Sequence, residues 1–134
     1  MLLASVLEPR NILFENRVLN KEQLYQMLVD RLCSQYKLPI CGSKLMELIL
    51  QRDEEVSPAY STGIAIPHIR MENFNDTLIA MAFLQNPLDY NGIKVSWVVL
   101  IITDKTSSKL YLNIVCLLYT SPSPRDRTRS RMPS

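Results

Sequence analysis

Residues 61–70 read Ser61-Thr62-Gly63-Ile64-Ala65-Ile66-Pro67-His68-Ile69-Arg70. Residues 63–67, bounded by Gly and Pro, are expected to form a short buried strand. Pro67 has its own φ fixed and pushes Ile66 toward extended geometry, so the chain enters His68 stiffly. Residues 77–84 and 95–102 are two further apolar runs, the second rich in β-branched residues. Runs with so little alternation suit strands covered on both faces. Asn91-Gly92 between them is a hairpin turn signal.

Outward from these strands the period changes. Residues 11–15 form a first short apolar run, expected as a strand. Asn20 and Gln23 have the spacing of a capping box, and Leu24, Met27, Leu28 and Leu32 follow at helical intervals. A helix over 21–35 is therefore expected, stopped by Leu38-Pro39. Ser43 is expected to cap a second helix with Leu45, Leu48 and Ile49 as its stripe. Arg52 falls on that stripe, at the edge of the core near the helix end. Residues 53–61 read as a polar connection that opens on a solvated acidic turn, Asp53-Glu54-Glu55. A third helical pattern starts at Ser107, with Leu110 and Ile114 four apart. Strand, helix, helix, strand, strand, strand, helix points to an α/β fold, a mixed β-sheet sandwiched by α-helices.

The chain has 134 residues, 47% apolar and 21% charged, which suits one globular domain. Its net charge of +2 is unevenly spread. Residues 117–134 carry four Arg and one Asp, so the other 116 residues stand at −1. From Cys116 on, the run CLLYTSPSPRDRTRSRMPS resembles the in-frame translation of a transposase-end sequencing adapter. Residues 116–134 are therefore set apart as a non-native or disordered tail. The domain is expected over 1–115, incomplete at its C-terminus, as in a fragment of environmental DNA. With the tail set aside, no basic feature points to a nucleic-acid partner. No apolar run approaches the roughly 18 residues of a membrane span, so direct membrane insertion is not expected. The opening MLLASVL lacks a basic region ahead of it and is a poor signal peptide. A cytoplasmic protein is expected.

The chemistry centres on His68, the single His of the chain. A neutral imidazole is a nucleophile near pH 7 and can take a phosphoryl group. Phosphoryl transfer needs alignment and positive charge on the equatorial oxygens. Arg52 and Arg70 are candidates for that charge, and Ser61, Thr62 and the backbone around Gly63 for further donors. The residues alone leave other roles open: a structural His68, or His68 as the general base of a hydrolase. Cys33, Cys41 and Cys116 are too widely spaced for a disulfide framework or a zinc cluster. Cys33 and Cys41 read as small buried apolar side chains. Met27, Met46 and Met81 read as core filler. The three Gly, at 42, 63 and 92, form no phosphate-binding loop.

The segment Gly63-Ile64-Ala65-Ile66-Pro67-His68 resembles the active-site motif of the fructose/mannitol-type enzyme IIA of the bacterial phosphoenolpyruvate-dependent sugar phosphotransferase system. Nitrogen-regulatory enzyme IIA belongs to the same group. The run from Arg52 to Gly63 fits the stretch ahead of that motif, where an Arg ends the second helix and an acidic loop leads to the strand. The likeness extends more loosely over residues 5–115. It implies that His68 accepts a phosphoryl group from the histidine-containing phosphocarrier protein and passes it to a Cys or His of an enzyme IIB. Arg52 would steady the phosphate, with no cofactor and no metal. Two departures stand out. Ile69 follows the His where relatives have a small residue, and residues 106–110 lack the second His of many sugar-transporting members. They leave open a regulatory binding module that signals through its phosphorylation state.

Overall fold

The computed structural model describes residues 8–104 apart from Asn73 and Asn75. A 3₁₀ turn over Pro9–Asn11 leads into β1, Ile12–Glu15. Two helices follow, α1 over Lys21–Gln35 and α2 over Ser43–Glu55. The rest of the sheet is β2 (Ile64–Ala65), β3 (His68–Met71), β4 (Leu78–Tyr90) and β5 (Ile93–Asp104). Five strands form one mixed sheet in the order β1-β4-β5-β2, with β3 also paired to β5. β4 and β5 are antiparallel; β1 on β4, and β2 and β3 on β5, are parallel. This is the mixed α/β architecture expected from the sequence. The helical pattern after Ser107 and the tail lie outside the described residues.

α1 has its expected bounds because both ends are written locally. Asn20 Oδ1 accepts from the Gln23 N–H at 2.7 Å, and Gln23 Oε1 accepts from the Asn20 N–H at 2.9 Å. Leu24, Leu28 and Leu32 are fully buried, and Met27 is half-buried. α2 departs from expectation at both ends. Gly42 is its N-cap and Ser43 makes no capping bond. The helix also continues through Glu55, so residues 53–55 are its last turn rather than a solvated loop. Asp53 is the residue of that turn that faces inward, four after Ile49.

The 91–92 turn is the two-residue hairpin expected. Asn91 at φ 52° and Gly92 at φ 98° both take the left-handed conformations such a turn requires. The strands it joins are longer than their apolar runs. β4 reaches Tyr90 through a register shift between Phe83 and Leu88, which accommodates Pro87. Beyond Glu15 no β1 residue pairs with β4, so the missing Pro87 N–H breaks no ladder there. Alternate residues of β4 and β5 build two apolar clusters. Ala80, Ala82, Val98, Leu100 and Ile102 pack with α1 and α2, and Ile79, Met81, Val99 and Ile101 form the other face. Both faces are buried, as the unalternating runs implied. Cross-strand register stacks Phe14 on Phe83 at 5.3 Å and Phe83 on Trp97 at 5.4 Å.

One expectation fails outright. Cys33 and Cys41 are joined by a disulfide and are half-buried, not separate apolar side chains. Their separation of eight residues hides the contact, since the chain turns back between α1 and α2 and brings both sulfurs to the same helix junction. Closing so short a loop is worth about 2–3 kcal/mol in the chain-entropy account. Cys33→Ser is expected to lower unfolding free energy by about that amount. Reducing agent should depress the melting temperature of the parent protein and leave that of the variant unchanged, as read by circular dichroism.

Candidate functional site

The edge of the sheet beside β5 is one extended segment interrupted at Pro67. The Ile66 N–H turns away from β5 and donates to the Pro58 carbonyl at 2.9 Å. Pro67 has no N–H to give, yet its carbonyl accepts from the Ile101 N–H at 2.9 Å. Pairing with β5 therefore resumes one residue later, with His68 opposite Ile101 and Arg70 opposite Thr103. His68 opens β3 rather than following the last strand residue, and β3 itself was not foreseen. Its polar Arg70 and the Pro before it masked a strand that the ladder to β5 supplies.

His68 is 8% exposed, and its Nε2 lies 2.9 Å from the Thr103 hydroxyl. Burial, followed by the charges of Arg70 and Arg52, lowers its pKa to about 4. The ring is therefore neutral at pH 7 and keeps a lone pair for nucleophilic attack. It borders a cleft of about 520 Å³ between α2 and β3. α2 contributes Gln51, Arg52 and Glu55, and β3 contributes His68, Ile69 and Arg70. Arg52 and His68 also border a smaller recess of about 60 Å³ under the α2 C-terminus.

The two expected guanidinium groups thus meet the imidazole in one cleft, although they are 18 residues apart in sequence. Arg52 is half-exposed and lies 3.9 Å from Glu55, one turn on. An exposed pair of this kind is worth little, so Arg52 remains available to a stronger anion. Its place in the last turn of α2 also suits the helix dipole. The other three candidates lie elsewhere. Ser61 and Thr62 are exposed in the turn before β2, and neither they nor Gly63 line either cavity beside His68. The Gly63 N–H already donates to the Tyr60 carbonyl at 3.0 Å, and its carbonyl accepts from Ser96 and Trp97. Gly63, at φ 93°, shapes the entry to β2. Ile69 is buried in the core that faces the helices.

Behind the cleft a buried polar chain ties α2 to α1 and β4. The Tyr90 hydroxyl donates to the Tyr25 hydroxyl at 2.9 Å, which donates to Asp53 Oδ2 at 2.5 Å. Lys21 Nζ lies 3.5 Å from the same oxygen and 5.5 Å from the centre of the Tyr90 ring. Burial raises the Asp53 pKa, while Tyr25 and Lys21 pull it back. Burial raises both Tyr hydroxyls as well. A Lys at a helix N-terminus opposes the helix dipole, and Asp53 supplies its compensation. Arg52 is thereby carried on a turn pinned from beneath. Asp53, Tyr25 and Tyr90 carry no local sign of this role, because their meeting depends on three elements. Thr103 carries a faint sign, as the first polar residue after the apolar run that ends at Ile102.

Among the described residues no group of His, Cys, Asp and Glu is arranged to hold a metal ion. No helix among them is long and apolar enough to cross a membrane. The family model of the phosphoenolpyruvate-dependent sugar phosphotransferase system, EIIA 2, matches residues 5–121. The chain belongs to that enzyme IIA family. No curated protein matches it. Solved structures share the fold at low identity. Nitrogen regulatory protein IIA-Ntr from Neisseria meningitidis is 19% identical with a TM-score of 0.68, covering 81% of this chain and 75% of that one. A chain assigned as PTS IIA (PtxA) from Streptococcus mutans is 17% identical with a TM-score of 0.65, covering 90% and 80%. One assigned as a PTS IIA domain from Streptococcus pyogenes M1 GAS is 20% identical with a TM-score of 0.67, covering 96% and 86%.

Two measurements check this geometry. The His68 pKa of about 4 lies below the 6.5 of the unfolded chain, so the unfolded state takes up the proton first as pH falls. The stability tied to the neutral ring is present above pH 6.5 and lost toward pH 4 and below, up to about 3 kcal/mol. Denaturant titrations from pH 7.5 to 4 are expected to show that loss, and His68→Gln should flatten it. Separately, Tyr25→Phe removes a donor to a buried carboxylate and should cost about 1–3 kcal/mol of unfolding free energy at pH 7.

Proposed function

We propose that this enzyme IIA domain is a phosphoryl carrier, taking a phosphoryl group on His68 from the histidine-containing phosphocarrier protein and passing it to an enzyme IIB. The observation that carries this reading is the convergence of a buried, neutral His68 with Arg52 and Arg70 on one open cleft. Attack by the ring displaces the donor's imidazole at phosphorus, and two guanidinium groups are suited to the charge on the equatorial oxygens. Arg52 steadies the phosphoryl group from the helix side and Arg70 from the strand side. Ser61, Thr62 and Gly63 are assigned to shaping the strand entry. The protein works in the cytoplasm, where its partners are found, with no metal and no cofactor.

A second reading is a regulatory IIA module, in which phosphorylation of His68 is a signal rather than a step toward sugar uptake. It is favoured by the lack of a second His in residues 106–110. Incubation with phosphoenolpyruvate, enzyme I and the phosphocarrier protein is expected to give acid-labile, base-stable label. The label should vanish in His68→Ala and form at least tenfold more slowly in Arg52→Ala, the size of one lost charge-assisted bond. An unlabelled parent protein, or label retained in His68→Ala, rules the carrier out. Onward transfer to an enzyme IIB separates carrier from signal.

A further inference from the structure

We propose that Tyr25 and Asp53 are positioning residues for phosphoryl transfer, holding the last turn of α2 so that Arg52 stays in the cleft beside His68. This rests on the carrier reading, in which Arg52 steadies the phosphoryl group on His68. Arg52 occupies the turn that the helix itself secures least. Its carbonyl accepts the closing bond of α2, from the Val56 N–H at 3.0 Å, and Val56 is already extended. Helix ends lack intrahelical partners and fray first. The ion pair of Arg52 with exposed Glu55 at 3.9 Å is too weak to aim the guanidinium.

A tie from outside the helix supplies what its end lacks. The Asp53 side chain is 2% exposed and accepts from the Tyr25 hydroxyl at 2.5 Å, with Lys21 Nζ 3.5 Å from the same oxygen. Tyr25 is fully buried on α1 and in turn accepts from the Tyr90 hydroxyl of β4 at 2.9 Å. Groups from α1 and β4 therefore grip the residue next to Arg52. Successive helix residues point about 100° apart, so Asp53 can face inward while Arg52 lines the cleft. Hydrogen bonds to a charged acceptor are the stronger kind, and this one resists rotation of the turn. Asp53 borders only the small recess and Tyr25 neither cavity, so both act through Arg52. An Arg52 on a loosened turn occupies the cleft for only part of the time, and the transfer rate falls by the fraction lost.

The test measures labelling at varied phosphocarrier concentration, at a temperature where every variant is folded by circular dichroism. Tyr25→Phe should slow labelling at saturating phosphocarrier about three- to tenfold, less than Arg52→Ala, and leave the half-saturating concentration unchanged. In an Arg52→Ala background the same change should alter the rate by less than about twofold, because its effect runs through Arg52. Cys33→Ser loosens the other end of the helix pair at a similar cost in stability and should label at the parent rate. One further measurement needs no variant: the Val56 amide should exchange slowly in the parent protein, unlike that of a frayed helix end. Tyr25→Phe labelling at the parent rate overturns the proposal. So does a full Tyr25→Phe effect in the Arg52→Ala background, equal slowing in Cys33→Ser, or rapid exchange at Val56. A parent protein that takes no label refutes the carrier reading and this proposal with it, whereas those results refute the proposal alone.

Discussion

The edge of the sheet at Pro67 is where backbone and chemistry meet. A proline in a paired strand forfeits one donor, and here the loss falls where the chain changes partners. Ile66 turns its N–H outward to Pro58, Pro67 offers its carbonyl to Ile101, and β3 begins at once. The imidazole is therefore aimed by β5, the most thoroughly paired strand of the sheet, which has β4 along its other side. The geometry of the site follows from this. His68 meets Thr103 because their strands are in register, and it meets Arg52 because α2 packs against β3.

Charge around the imidazole is arranged in opposition to protonation. Burial and two nearby guanidinium groups disfavour the imidazolium, so the ring stays neutral across the physiological range. On the proposed reading the same two positive charges would attract an incoming phosphoryl group, while the ring keeps its lone pair. The Asp53 carboxylate sits one residue from Arg52 but faces inward to Tyr25 and Lys21. Its negative charge is held under the site by a pinned helix turn, and Arg52 faces the cleft.

Much of this was legible in order along the chain. The capping box of α1, the apolar stripes of both helices, the 91–92 turn and the buried runs of β4 and β5 are local patterns, and each appears where expected. Arg52, His68 and Arg70 could be named because their residue types suit one chemistry and the Pro-His pair marks a stiff strand end. Elements that depend on a partner were missed. β3 is a strand only because β5 lies beside it, the Cys33–Cys41 bond forms only once α1 and α2 fold back, and Asp53 looks like a solvated acid until α1 and β4 cover it. Ser61, Thr62 and Gly63 were drawn toward the phosphate by nearness in sequence. An extended chain carries residues away at over 3 Å each, so nearness in sequence is not nearness in space.

The sequence by itself determined the helices, the hairpin and the candidate imidazole, because those rest on periodicity, capping and residue chemistry within short windows. Tertiary structure alone decided which polar groups surround that imidazole. Thr103 reaches it across a parallel pair of strands separated by 35 residues, and Arg52 reaches the same cleft across a helix–strand contact. Such contacts depend on register and packing angle, which are set by the whole core and written in no single segment.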